Sequence, residues 1–175
     1  MIKNTSSSYG SVTKIFHWLI FVLLAGMLTG GFFLDDMPKD YQPLIYNLHK
    51  LTGLTILCLM VLRALWASIN IKPALPMGTP AWQRSAERIL HFLLYITVIA
   101  MPLAGWIGAC AGGRPPHIGD FKLALPIAEN KPLAGFAFDI HGILAITIIV
   151  LASIHIAAAL YHYFIKRDNV LNRML

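Results

Sequence analysis

Four long apolar runs constrain this chain more than any other feature. They cover about residues 15–34, 44–69, 89–111 and 136–165. A helix rises about 1.5 Å per residue, so ~20 apolar residues cross the ~30 Å hydrocarbon core of a bilayer. Barrel strands need only ~9–11 residues and alternate polar with apolar side chains, which these runs do not. The expected fold is therefore all-α: an integral membrane four-helix bundle, up-down-up-down, forming a single domain over residues 1–175. Loop signals separate the spans at Asp35–Asp40, from Lys72-Pro73 to Thr79-Pro80, and from Gly112-Gly113-Arg114-Pro115-Pro116 to about Asp139. The stretch from Lys3 to Ser8 reads as a short mobile tail. The first run is too long for a signal peptide, lacks an Ala-x-Ala site and contains a histidine, so it is expected to stay in the mature chain.

Composition agrees. Hydrophobic residues make up 57% and charged residues 13% of the 175, against about 45–50% and about 25% in a soluble domain. The formal charge of +6 does not indicate nucleic acid, because the basic residues sit at the ends of apolar runs rather than along one polar face. The N-terminal tail, the second loop and the C-terminal tail, with the span ends beside them, hold nine of the fourteen Lys and Arg residues. The first and third loops hold Lys39, Lys50, Arg114, Lys122 and Lys131, with six of the eight acids. The positive-inside rule then places both termini in the cytoplasm. Cys58 and Cys110 lie in apolar runs with no C-x-x-C or haem-attachment pattern, and read as buried thiols.

Ionisable side chains inside a membrane are costly, which makes them functional candidates. Six of the seven histidines lie within or at the edge of spans: His17, His49, His91, His141, His155 and His162. His141 and His155 are 14 residues apart, which at about 100° and 1.5 Å per residue puts them on one helix face about 21 Å apart. By depth, His49 pairs with His141 at the outer level and His17 with His155 at the inner level. Two facing imidazoles at each of two levels suit two iron porphyrins held by axial histidines in a bundle core. His91 competes with His17 as the inner ligand; His17 is preferred, with His91 beside it. Gly26, Gly30, Gly53, Gly105 and Gly142 leave bare surface for a flat macrocycle, or for close helix packing. Arg63, on the His49 face at inner depth, either pairs with a porphyrin propionate or snorkels to the headgroups. His162, near the inner surface, lines a quinone pocket with Lys14 and Ser11, or is a simple interfacial histidine. His117 lies in an outer loop and reads as solvated. No Asp or Glu lies deep in a span, which disfavours a divalent-cation transporter or a proton pump.

These residues also carry a resemblance. Lys14-Ile15-Phe16-His17-Trp18-Leu19, Asn47-Leu48-His49-Lys50-Leu51-Thr52-Gly53 and Val61-Leu62-Arg63-Ala64-Leu65-Trp66 resemble the bacterial cytochrome b561 family. So do Ile140-His141-Gly142, Ser153 to Phe164 around His155 and His162, and the closing Arg167 to Met174. The likeness covers nearly the whole chain. It implies an inner-membrane protein with two haem b groups, axial ligands His17, His49, His141 and His155, and electron exchange with ubiquinone. One activity it implies is superoxide oxidation: superoxide is oxidised to dioxygen at the outer haem, and the electron passes through the inner haem to quinone near Lys14 and His162. The outer loops carry five basic and six acidic residues, so net charge does not favour capture of an anion there; only a local cluster of Lys50, Arg114, Lys122 and Lys131 would. Two other readings stay open: a non-catalytic cytochrome b subunit wiring a partner oxidoreductase to the quinone pool, and a histidine-lined metal transporter.

Overall fold

The computed structural model describes residues 1–76 and 78–175, so Met77 of the second loop lies outside the described residues. Four long helices follow in order: α1 Ser11–Gly31, α2 Gln42–Ser68, α3 Ala81–Ala111 and α4 Lys131–Tyr161. All four are long and apolar enough to cross a membrane. A two-stranded hairpin, β1 His117–Ile118 and β2 Phe121–Lys122, precedes α4, and a π-helical turn, His162–Lys166, follows it. The architecture is a four-helix membrane bundle.

The helices begin earlier than the apolar runs. Asn130 caps α4 by accepting from the Leu133 N–H at 3.0 Å, and proline opens the first turn of both α2 and α4. These start signals lie outside the apolar runs, so an apolar window misses them. Likewise α3 starts at Ala81, and its first turns carry Gln83, Arg84, Glu87 and Arg88. At about 1.5 Å per residue, its 31 residues exceed the hydrocarbon thickness by several turns.

α1 packs along α2, α2 along α3, and α3 most extensively along α4, whereas α1 and α4 are held apart. Small residues make the α3–α4 approach close: Ala104, Ala109 and Ala111 on one side and Ala134 and Ala137 on the other are buried. A Cβ at Gly108 would lie 2.9 Å from the Phe138 ring. Apart from one face, α1 turns its large apolar side chains outward, with Ile15 63% and Val22 64% exposed. Such a surface suits lipid rather than water. Cys110 is buried, but Cys58 is exposed on the outside of α2, contrary to expectation. Both cysteines lie in apolar sequence, and in a membrane protein apolar surroundings include lipid.

The bundle centre is an apolar plug of Ile20, Ile56, Met60, Val98, Met101 and Ile148. Ile148 is fully buried and lies seven residues from both His141 and His155. Ile56 lies seven from both His49 and Arg63. The plug therefore separates two polar levels.

Both ends are tied down. At one end, the Asn47 amide donates to the His117 carbonyl at 2.8 Å and accepts from the His117 N–H at 3.0 Å, fastening the hairpin to α2. Trp106 donates to the Leu123 carbonyl at 2.8 Å, and Lys50 to the Arg114 carbonyl at 2.9 Å. At the other end the N-terminal stretch is ordered, against the expectation of a mobile tail. Asn4 donates to the Ile71 carbonyl at 2.8 Å and accepts from Gly10 and Thr13. The C-terminal segment returns to α1, where Trp18 donates to the Met174 carbonyl at 2.9 Å.

Asn47 is 9% exposed and satisfies both backbone groups of His117. Replacing it by leucine leaves those groups unpaired, which costs about 1–3 kcal/mol. The expected outcome is a lower thermal midpoint in detergent, with faster amide exchange across residues 115–125.

Candidate functional site

The histidines expected to pair from their depths are brought together by the fold. At one level, His49 of α2 faces His141 of α4 with ring centroids 6.2 Å apart and planes at 68°. At the other, His17 of α1 faces His155 of α4 with centroids also 6.2 Å apart and planes at 63°. The rings come from different helices, so neither spacing follows from local sequence.

The His49–His141 level opens into a cavity of about 1300 Å³. The His141 Nδ1–H donates to the Met101 carbonyl at 2.8 Å, leaving Nε2 free to ligate. Gly105 makes this possible, because a Cβ there would fall 2.9 Å from His141 Nδ1. Gly31 passes close to His49, where a Cβ would lie 3.5 Å from Cε1. No neighbouring side chain lies within 4 Å of the Cβ positions of Gly26, Gly30 and Gly142, so these three do not serve close helix packing here. Lys39, Lys50, Arg114 and Lys122 all line the cavity, with Asp35 among them. The tertiary structure thus gathers cations from two loops whose summed charge is unremarkable. Lys131 is not among the lining residues.

The His17–His155 level is more crowded. Arg63 reaches inward and donates to His17 Nδ1 at 3.3 Å, with its guanidinium 5.4 Å from the centre of the Tyr95 ring. It does not simply snorkel. His91 packs against His155 with centroids 5.1 Å apart. Its Nδ1 lies 2.8 Å from both the carbonyl and the carboxylate of Glu87, one turn earlier on α3. Glu87 also pairs with Lys72 at 2.6 Å. Residue types and depth pointed to His91 and Arg63; Glu87 and Tyr95 carried no such signal, because their relevance depends on which face of α3 turns inward.

The three residues expected at a quinone pocket are placed differently. Ser11 and Lys14 line a recess of about 220 Å³ with Met1, Lys3, Thr5, Ser8 and Tyr9. His162 is not among its lining residues. Its Nδ1 instead lies 2.6 Å from the Asp168 carboxylate. Burial works against the Asp168 charge, but hydrogen bonds from His162 and from the Val170 N–H outweigh it and hold the carboxyl below its usual range. A lowered value stabilises the folded segment above the ordinary carboxylate range, and that stabilisation is lost as pH falls through the lowered value. His117 is exposed in the hairpin, as expected.

Comparison with known proteins shows the family. The family model described as prokaryotic cytochrome b561 matches residues 8–175. The chain belongs to the prokaryotic cytochrome b561 family. It is 33% identical over 176 residues to cytochrome b561 homolog 2 of Escherichia coli (strain K12), covering 98% of this chain and 93% of the relative. Cytochrome b561 homolog 1 of the same organism is 31% identical over 172 residues, covering 94% and 96%. A probable superoxide oxidase, CybB, of Yersinia pestis is 31% identical over 166 residues, covering 91% and 90%. This cytochrome b561 family member is accordingly a multi-pass protein of the bacterial inner membrane and a b-type electron-transfer cytochrome. Its family binds haem b.

Gly105→Ala tests the cavity geometry. The added methyl displaces the His141 ring and breaks its bond to Met101. The expected outcome is a lower haem-to-protein ratio after purification, read by pyridine haemochrome absorbance, with helix content unchanged.

Proposed function

We propose that this chain is a dihaem cytochrome that carries electrons from superoxide at its outer face to ubiquinone, with both termini in the cytoplasm. The observation that carries the reading is the repeated imidazole pair, 6.2 Å between centroids at both levels. That separation leaves room for one metal between the rings at the ~2 Å usual for a metal–imidazole bond, so each pair would hold one iron. Both pairs fit. The 5.1 Å spacing of His91 and His155 is too short for that arrangement, which favours His17 over His91 as the inner ligand. His49 and His141 would hold the outer haem, and His17 and His155 the inner one. Bound haem supplies one-electron chemistry.

The remaining side chains take supporting parts. Ligation through His17 Nε2 leaves the ring proton on Nδ1, where Arg63 can no longer donate. The guanidinium is then free for a propionate, with His91 beside it. The apolar plug around Ile148 keeps water out between the levels. Lys39, Lys50, Arg114 and Lys122 raise the local concentration of a small anion at the outer mouth. At the inner end His162 serves quinone, while Lys14 and Ser11 line a separate recess. The balance is two superoxide anions oxidised to two dioxygen molecules, with one quinone taking two electrons and two protons to become quinol. Residues 1–175 act as one unit. The likeness to a probable superoxide oxidase of Yersinia pestis supports superoxide as the donor.

Two experiments test this. His141→Ala and His155→Ala should each lower the haem-to-protein ratio from two toward one and remove different bands from the reduced-minus-oxidised spectrum; an unchanged ratio in either variant defeats the ligand assignment. Purified protein given a superoxide source should reduce ubiquinone without any partner. Failure with both haems retained would instead favour the role of wiring a partner oxidoreductase.

A further inference from the structure

The π-helical turn at the end of α4 contains an arrangement that the reading above does not use. His162 opens the turn, and its Nδ1 lies 2.6 Å from Asp168 Oδ2. The two side chains are only 20% and 22% exposed. The carboxylate is itself held: Oδ1 accepts from the Val170 N–H at 3.0 Å, and the Asp168 N–H donates to the His162 carbonyl at 3.2 Å. Arg167, in the left-handed region at φ 52°, turns the chain back so that Asp168 reaches the ring. Among the described residues, His162 Nε2 has no hydrogen-bond partner.

The surroundings suit a quinone headgroup. Tyr161, Tyr163 and Phe164 beside His162 are 44%, 43% and 62% exposed, forming an aromatic collar typical of headgroup depth. His162 follows His155 by seven residues, two turns and about 10 Å along the same helix face. The helices α1 and α4 are held apart, and the C-terminal segment bridges them from Asp168 to the Trp18–Met174 bond.

Building on the quinone reading above, we infer that Asp168 is a positioning residue: it keeps the His162 proton on Nδ1 and turns Nε2 toward a quinone oxygen. Nε2 first takes a proton from water, giving an imidazolium that the Asp168 carboxylate stabilises, and then passes it to the quinone oxygen; two such cycles, with two electrons from two superoxide anions, turn the quinone into quinol. Asp168 itself neither gives nor keeps a proton.

The test uses full-length, haem-loaded protein in lipid nanodiscs with ubiquinone-1 as the probe. Reduced haems are mixed anaerobically with the quinone and their reoxidation is followed. Asp168→Asn should slow reoxidation roughly 10-fold or more, the scale of losing a group that orients a functional histidine. Asp168→Glu should restore most of the rate. His162→Gln should be as slow, and the double variant no slower than His162→Gln alone. Nitrogen-15 spectra of the histidine rings give a reading apart from rate. In the wild type His162 Nδ1 should be protonated, and Nε2 should shift when ubiquinone-1 is added; in Asp168→Asn the protonated Nδ1 signal should be lost. Wild-type rate or wild-type ring signals in Asp168→Asn overturn the inference and leave the quinone reading standing. Wild-type haems that ubiquinone-1 leaves reduced overturn both. If Asp168→Asn loses its haem, the wild-type Nε2 response decides the matter: a shift supports the inference and an unmoved signal overturns it.

Discussion

Hydrocarbon cannot hydrogen-bond to a peptide group or hydrate an imidazole, and the rest of the structure depends on that constraint. It forces each span into a helix that satisfies its own backbone. It also confines polar side chains to the bundle interior, where they meet one another. His17 faces His155, His49 faces His141, and Arg63 turns inward to His17 and Tyr95 instead of outward to lipid. No buried polar side-chain atom is left without a partner among the described residues.

The bundle divides labour by depth. A packed apolar layer centred on Ile148 lies between two polar levels, and the two levels are built differently. The His49–His141 level is a cavity rimmed by cations, where Gly105 leaves room for the His141 ring. The His17–His155 level is a dense cluster in which Arg63, His91, Glu87 and Lys72 connect the histidines toward the surface. Electron transfer across a membrane needs such a division: polar ends that bind and exchange, and a dry middle that blocks ions and water.

The loops matter more than their lengths imply. The hairpin is fastened by Asn47, Trp106 and Lys50, which carries Arg114 and Lys122 to the cavity mouth. At the opposite end, the terminal segments both meet the loop between α2 and α3: Asn4 bonds Ile71, and Arg173 bonds Ala74. Short tails thereby become part of that end of the bundle.

Much of this was legible in the residues. Run length against bilayer thickness dictates four helices, and the seven- and fourteen-residue spacings of α2 and α4 dictate which histidines share a face, because helical periodicity is local. Family membership follows from the same motifs. What the tertiary structure decided is everything that depends on which faces meet. It placed His17 rather than His91 at the 6.2 Å spacing from His155. It gathered Lys39, Lys50, Arg114 and Lys122 although loop totals gave no net positive charge, and it set Asp168 against His162 through one left-handed residue. It also exposed Cys58 and ordered the N-terminal stretch. Composition reports how much polarity a segment carries. Only packing between distant segments determines where that polarity points.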